Sequence, residues 1–286
     1  RDNNQILGGY NYVNRSPNYY TGDNHGTLVL STMGGNQDQA LVGTAPDASY
    51  YLFVTENDAS ENPIEETLWV EAAEKADSLG ADIINSSLGY FDFDNSNYSY
   101  TYADMNGTTT FISRGAEIAF SRGMLVVASA GNSGNTTNPN IAAPADAVSV
   151  LTIGAVTASK SRASFSSIGP SFDGRVKPEV MAQGQASVVS DEFGNIGTAN
   201  GTSFSSPILA GMVACLWQAL PDKTNKEIRD LIVQSADKYL TPTPQLGYGI
   251  PDFSAAVNKG LLATIDNQKA PFSLYPNPSK GTVYIT

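Results

Sequence analysis

Apolar positions in this chain come in blocks. "YYLFV" (50–54), "DIINSSLG" (82–89), "MLVVASA" (124–130) and "VSVLTIGAV" (148–156) are apolar runs of strand length. Unbroken runs suit strands buried on both faces; half-exposed strands alternate with period two. Between them lie segments with helical spacing. In "NPIEETLWVEAAEKADSLG" (62–80), Leu68, Ala72, Ala76 and Leu79 fall on one face. Pro63 suits the first turn, Glu65 and Glu66 the positive end of the dipole, and Gly80 the stop. "TTTFISRGAEIAFSRG" (108–123) reads as a second helix. Residues 206–220 read as a third, apolar nearly all round and hence central. Thr224 and Glu227 have the spacing of a capping box that opens the last major helix. Strands alternating with helices predict an α/β fold, a parallel sheet with helices on both faces.

The texture changes after residue 260. "LLATIDNQKAP" reads as a linker. "FSLYPNPSKGTVYIT", with two prolines, a Ser-Lys-Gly turn and an alternating pattern, reads as the opening of an all-β unit. The expected organisation is one α/β domain over 1–260, a linker over 261–271 and the start of a small β domain over 272–286. The chain begins at Arg1 and stops inside a predicted strand, so it reads as a fragment of a longer precursor.

Composition narrows the classes. With 41% hydrophobic and 15% charged residues there is ample material for a large core. The net charge is −12 and no basic run occurs, so nucleic acid is not an expected partner. No apolar stretch is long enough to span a bilayer. Cys215 is the single cysteine, which rules out an intrachain disulfide; inside "PILAGMVACLW" it is expected as a small buried hydrophobe.

Sites in open parallel sheets form in loops at the carboxyl ends of strands. Three such loops hold chemistry. His25, the only histidine, lies in "TGDNHGTLVL" (21–30), Asn132 in "GNSGN" (131–135) and Ser203 in "NGTSFSSP" (200–207), just before the buried helix. Each has a plain alternative: a turn or core imidazole, a turn asparagine, an N-cap serine. Pro207 suits an early helical position. Together the three supply a base, an anion donor and a nucleophile, the parts of acyl transfer. The helix start adds backbone N–H groups and a positive dipole end beside the serine oxygen.

Six motifs then match in order. They are "NHGTLVLSTMGG", "VGTAPDASYYLFV", "NSSLG", "ASAGNSG", "SFSSIGPSFDGRVKPEVMAQG" and "NGTSFSSPILAG". On these the chain resembles the subtilisin-like serine proteases, the subtilases, from about residue 20 to about residue 258. The resemblance implies His25 as general base, Ser203 as nucleophile and Asn132 as oxyanion donor. It implies that Ser87, Leu88 and Gly89, with Ala130 and Gly131, line the cleft that takes polypeptide substrates. Phe204 and Ser205 depart from the commoner methionine and alanine, which implies altered packing. The family's triad aspartate lies on a strand before the histidine, and only 24 residues precede His25 here. Asp2 and Asp23 do not sit in such a strand, and Asp23 reads as a turn residue, so no triad aspartate is assigned and that strand is expected to be cut off. No cofactor is expected. Calcium, common in the family, cannot be placed, and "YFDFDNSN" (90–97) reads as a solvated loop.

The tail resembles the start of the C-terminal sorting domain of the type IX secretion system. That implies the secretion machinery as a partner and a secreted or cell-surface location. A secreted serine endopeptidase is therefore the expected function. A catalytically inactive subtilase-like binding module is the competing reading. An α/β-hydrolase is disfavoured because the chain has no Gly-x-Ser-x-Gly elbow.

Overall fold

A computed structural model describes residues 4–267 and, in the tail, the short strands at 274–275 and 284–285. The elements run β1 (Ile6–Asn11), α1 (His25–Gly34), β2 (Asn36–Gln37), β3 (Leu41–Val42), β4 (Tyr50–Val54), α2 (Ile64–Ser78), β5 (Ile83–Ser86), α3 (Phe111–Ser121), β6 (Leu125–Ser129), β7 (Leu151–Val156) and β8 (Val180–Gln183). After these come β9 (Ser187–Ser190), β10 (Ile196–Ala199), α4 (Thr202–Ala219), α5 (Asn225–Ser235), α6 (Phe253–Asn267), β11 (Leu274–Tyr275) and β12 (Tyr284–Ile285).

The centre is a four-stranded parallel sheet in the order β5-β6-β7-β8. Every residue of β6 and β7 is buried, as their unbroken apolar runs predict. Alternate residues of β6 serve opposite layers. Leu125 and Val127 pack with Leu209, Val213 and Leu216 of α4 and Ile228 of α5. Val126 and Ala128 pack with Trp69 and Ala73 of α2 and Ile112 and Ala116 of α3. Period-two geometry thus turns one continuous apolar run into two cores, with helices on both faces. The other parallel pair, β1 with β4, forms a separate two-stranded sheet with a bulge between Ile6 and Gly8. β4, a fully apolar run, is only half-buried at each of its five residues.

The helix signals hold locally. Gly80, just past α2, takes φ +75°, a conformation that favours glycine. Thr224 Oγ1 accepts from the Glu227 N–H (3.2 Å) and Glu227 Oε2 from the Thr224 N–H (2.9 Å), the full capping box. Three expectations fail for physical reasons. Cys215 is exposed, not buried. It lies two positions from Val213, roughly 200° around the helix, so when Val213 faces the sheet Cys215 faces away; its Sγ donates to Thr44 O (3.3 Å). Pro207 sits in the second turn of α4, not the first. α6 continues as far as Asn267, through the first part of the stretch that reads as a linker. In the tail, β11 and β12 pair antiparallel; the rest of the expected sorting domain lies outside the described residues. No helix among the described residues is long and apolar enough to cross a membrane.

Candidate active site

Ser203 is the second residue of α4. The helix is capped by Gly201, which has φ +155° and offers no side chain, so Ser203 is not the cap. Its Oγ–H reaches only Ser87 O, at 3.5 Å, the outer limit of a hydrogen bond. Pro207 explains what holds this turn. A residue there would normally donate its N–H to Ser203 O, four positions back, but proline has none. Ser203 O instead accepts from Ser87 Oγ (2.9 Å). Asn85 extends the stitch: its Nδ2 donates to Ser87 Oγ (3.2 Å) and its Oδ1 accepts from Ser206 Oγ (2.8 Å). The end of β5 is thus sewn to the start of α4.

Asn132 follows β6 and lies exposed beside the same helix start. Its Oδ1 accepts two bonds, from the Thr202 N–H (2.9 Å) and the Thr202 hydroxyl (3.0 Å). A donor on that side fixes the amide's orientation, because only the oxygen can accept. Nδ2 is left with no protein acceptor among the described residues. Thr202 Oγ1 in turn accepts from the Gly131 N–H (3.1 Å). Gly131 takes φ +102°, and a Cβ there would lie 2.9 Å from Ser167 Oγ, so glycine is required by both conformation and space. Thr202 and Ser167 were not singled out from the sequence; a threonine or serine in a loop carries no signal of which distant group it will bond.

His25 opens α1, and its N–H donates to Asp23 Oδ1 (2.7 Å), the turn role expected of Asp23. The imidazole makes no side-chain hydrogen bond among the described residues. It meets Phe204 edge-on, ring centroids 6.0 Å apart. Phe204 packs in turn with Val29 and Val189, so this departure from the common motif welds α1 to α4. Burial pushes the His25 pKa below its ordinary value, against a smaller opposing effect from Asp23. A neutral, proton-accepting imidazole is the result at neutral pH. His25 and Ser203 therefore stand at neighbouring helix starts, with no direct hydrogen bond between them.

The other predicted cleft residues fall nearby in unequal ways. Leu88 is half-buried and Gly89 is exposed. Ala130 is fully buried against Ile141 and Ala145, so its side chain belongs to a small core cluster. The loop at 90–97 is mostly exposed. One carboxylate group that sequence spacing did not reveal is Glu56, Glu61 and Glu65, whose oxygens lie within 4.8 Å of one another. Burial without a counter-cation pushes Glu56 and Glu61 up to about 7. No residue is assigned to a metal.

Comparison with known proteins decides the family. The model of the subtilase family, Peptidase S8, matches residues 1–250. The chain belongs to the subtilase family. Subtilases are serine peptidases. Subtilisin DY of Bacillus licheniformis is 32% identical over 235 residues, 81% of this chain and 77% of that protein. Subtilisin NAT of Bacillus subtilis subsp. natto is 31% identical over 255 residues; that match takes in 88% of this chain and 60% of the relative's length. Among solved structures, MycP1 with its N-terminal propeptide removed superposes with a TM-score of 0.71 at 23% identity, over 87% of this chain and 83% of that one. The likeness to that structure is one of fold.

Proposed function

We propose that this subtilase is a secreted serine endopeptidase. Ser203 Oγ attacks the carbonyl carbon of a substrate peptide bond, and His25 takes its proton and returns it to the leaving amine. Asn132 Nδ2 and the Ser203 N–H at the start of α4 stabilise the oxyanion. Ser87, Leu88 and Gly89 pair with the substrate backbone, and Gly131 borders the cleft. One observation carries this reading. Thr202 grips the Asn132 oxygen, so the amide N–H groups stay free beside the residue next along the helix, Ser203.

Among the described residues no carboxylate is hydrogen-bonded to the His25 ring. β4 and β5 are each the last strand of their own sheet, though both belong to parallel sheets. A further parallel strand carrying an aspartate between them would join the two sheets and orient the imidazole. The tail fits a sorting role in export, with the type IX secretion machinery as partner.

The test is Asn132→Ala in the full-length protein. A donor used only when the oxygen carries charge acts on the transition state. Turnover should fall by roughly a hundred- to a thousandfold with little change in KM, the size of loss seen for such a donor in subtilisin, a relative. Normal turnover per folded molecule, with a lowered melting temperature, would make Asn132 a turn residue and remove it from the site.

A further inference from the structure

Leu88 and Gly89 hang between two fixed points. At one end Ser87 is bonded to Ser203 O. At the other, Tyr90 pairs with Ala143 in both directions: its N–H donates to Ala143 O (2.8 Å) and its carbonyl accepts from the Ala143 N–H (3.1 Å). Tyr90 is 0% exposed, and its ring stacks on Phe93 at 6.0 Å. Its hydroxyl crosses 34 positions of sequence to donate to Glu56, two residues past β4. A tyrosine buried that deeply needs a partner for its O–H, and the partner lies on the other sheet's side of the molecule.

We propose that Tyr90 and Glu56 are positioning residues for substrate binding. Their buried hydrogen bond anchors the far end of the Ser87–Gly89 segment to the loop after β4, and so presets the segment that meets the substrate backbone. The inference deepens the peptidase reading and rests on it. An extended substrate added to a preset strand pays less ordering entropy than one that must first order it. The bond's loss is therefore read in KM before kcat, because neither residue touches the reacting atoms.

The groups facing Glu56 are Tyr90, Glu65 in the first turn of α2 and Glu61 in the intervening loop, with Asp94 donated to by the Glu61 N–H (3.2 Å). No lysine or arginine pairs with any of these glutamates among the described residues. Burial pushes the Glu56 carboxyl up to about 7, and the Tyr90 hydrogen bond opposes that shift because a hydroxyl donates more strongly to a carboxylate, so the bond is made in both protonation states.

The experiment uses the full-length protein, a chromogenic peptide substrate and Ser203→Ala as control. Tyr90→Phe keeps the ring and loses only the hydroxyl. It should raise KM about five- to tenfold, as expected for one hydrogen bond to a carboxyl group, with kcat within about twofold. Glu56→Gln keeps an acceptor for the hydroxyl and should hold KM near the wild-type value; Glu56→Leu should match Tyr90→Phe. Unchanged KM in both Tyr90→Phe and Glu56→Leu overturns the proposal, as does a lowered melting temperature with kinetics intact. Glu56→Gln covers the case in which Tyr90→Phe does not fold: a KM raised in Glu56→Gln as far as in Glu56→Leu overturns it too. Hydrolysis surviving in Ser203→Ala would instead sink the peptidase reading itself, a distinct failure.

Discussion

Ser203 and Asn132 stand on the four-stranded half of the molecule, where almost every polar group near them is engaged. Ser87, Asn85, Thr202 and Ser206 form a continuous hydrogen-bonded seam, and both β6 and β7 behind it are fully buried. His25 stands on the helix between β1 and β4. There the strands are half-buried, a groove of about 420 Å³ opens between Leu7, Gly9, Tyr10 and Phe53, and the imidazole has no hydrogen bond of its own. The difference is instructive. An oxyanion donor, the role proposed for Asn132, must be preorganised, because reorganisation during reaction would forfeit its effect. In the proposed mechanism His25 must move a proton, and an imidazole that meets Phe204 edge-on keeps its neutral form without being locked.

The largest test of this contrast lies behind the rigid half. Lys177, 0% exposed, donates to Val150 O (2.9 Å), Thr152 Oγ1 (3.0 Å) and Glu179, and Glu179 also takes Arg229 (2.7 Å). Glu179→Ala would strand a buried ammonium and should cost about 3–5 kcal/mol in denaturant unfolding. A loss under about 1 kcal/mol would mean that this half is not locked by its ion pairs. Next comes Thr202→Val, which deletes one of the two donors aligning Asn132. Turnover should drop about tenfold with KM unchanged, measured with the same peptide substrate; an unaffected turnover would show that the Thr202 N–H suffices.

A smaller effect is expected at His25. Because the chain has one histidine, its imidazole gives a single resonance in an NMR titration. That resonance should titrate below the ordinary 6.5, since burial disfavours the cation. The sign follows for activity: catalysis needs the neutral ring, so rates hold at neutral pH and are lost as pH falls through this lowered pKa. A midpoint above 6.5 would reveal a carboxylate against the ring. The smallest effect belongs to the exposed Arg15–Glu71 pair linking the β1 side to α2. Arg15→Ala should leave the melting temperature where it is.

Much of this was legible in the sequence, and unevenly. β6, β7 and the Thr224 capping box announce themselves because local pattern and tertiary role coincide there. The site residues came as types and order along the chain, with Asn132 and Ser203 adjacent in the fold as their motifs imply. What pairwise geometry decides was not legible. The apolar run at 50–54 gives no sign that β4 pairs with β1 and stops short of β5. "SFSSP" gives no sign that Pro207 frees a carbonyl for Ser87. Glu56, Glu61 and Glu65 are spaced like any acidic surface run, and only the fold turns them toward one another.

Cys215 carries a practical consequence. It is the sole thiol and it is exposed, twelve residues beyond Ser203 on the same rigid helix, about 18 Å along the axis. A fluorophore or spin label attached there rides on the helix that carries Ser203, the proposed nucleophile. Distances from that single point would report how α4 shifts when a peptide occupies the site, a built-in ruler that needs no engineered residue.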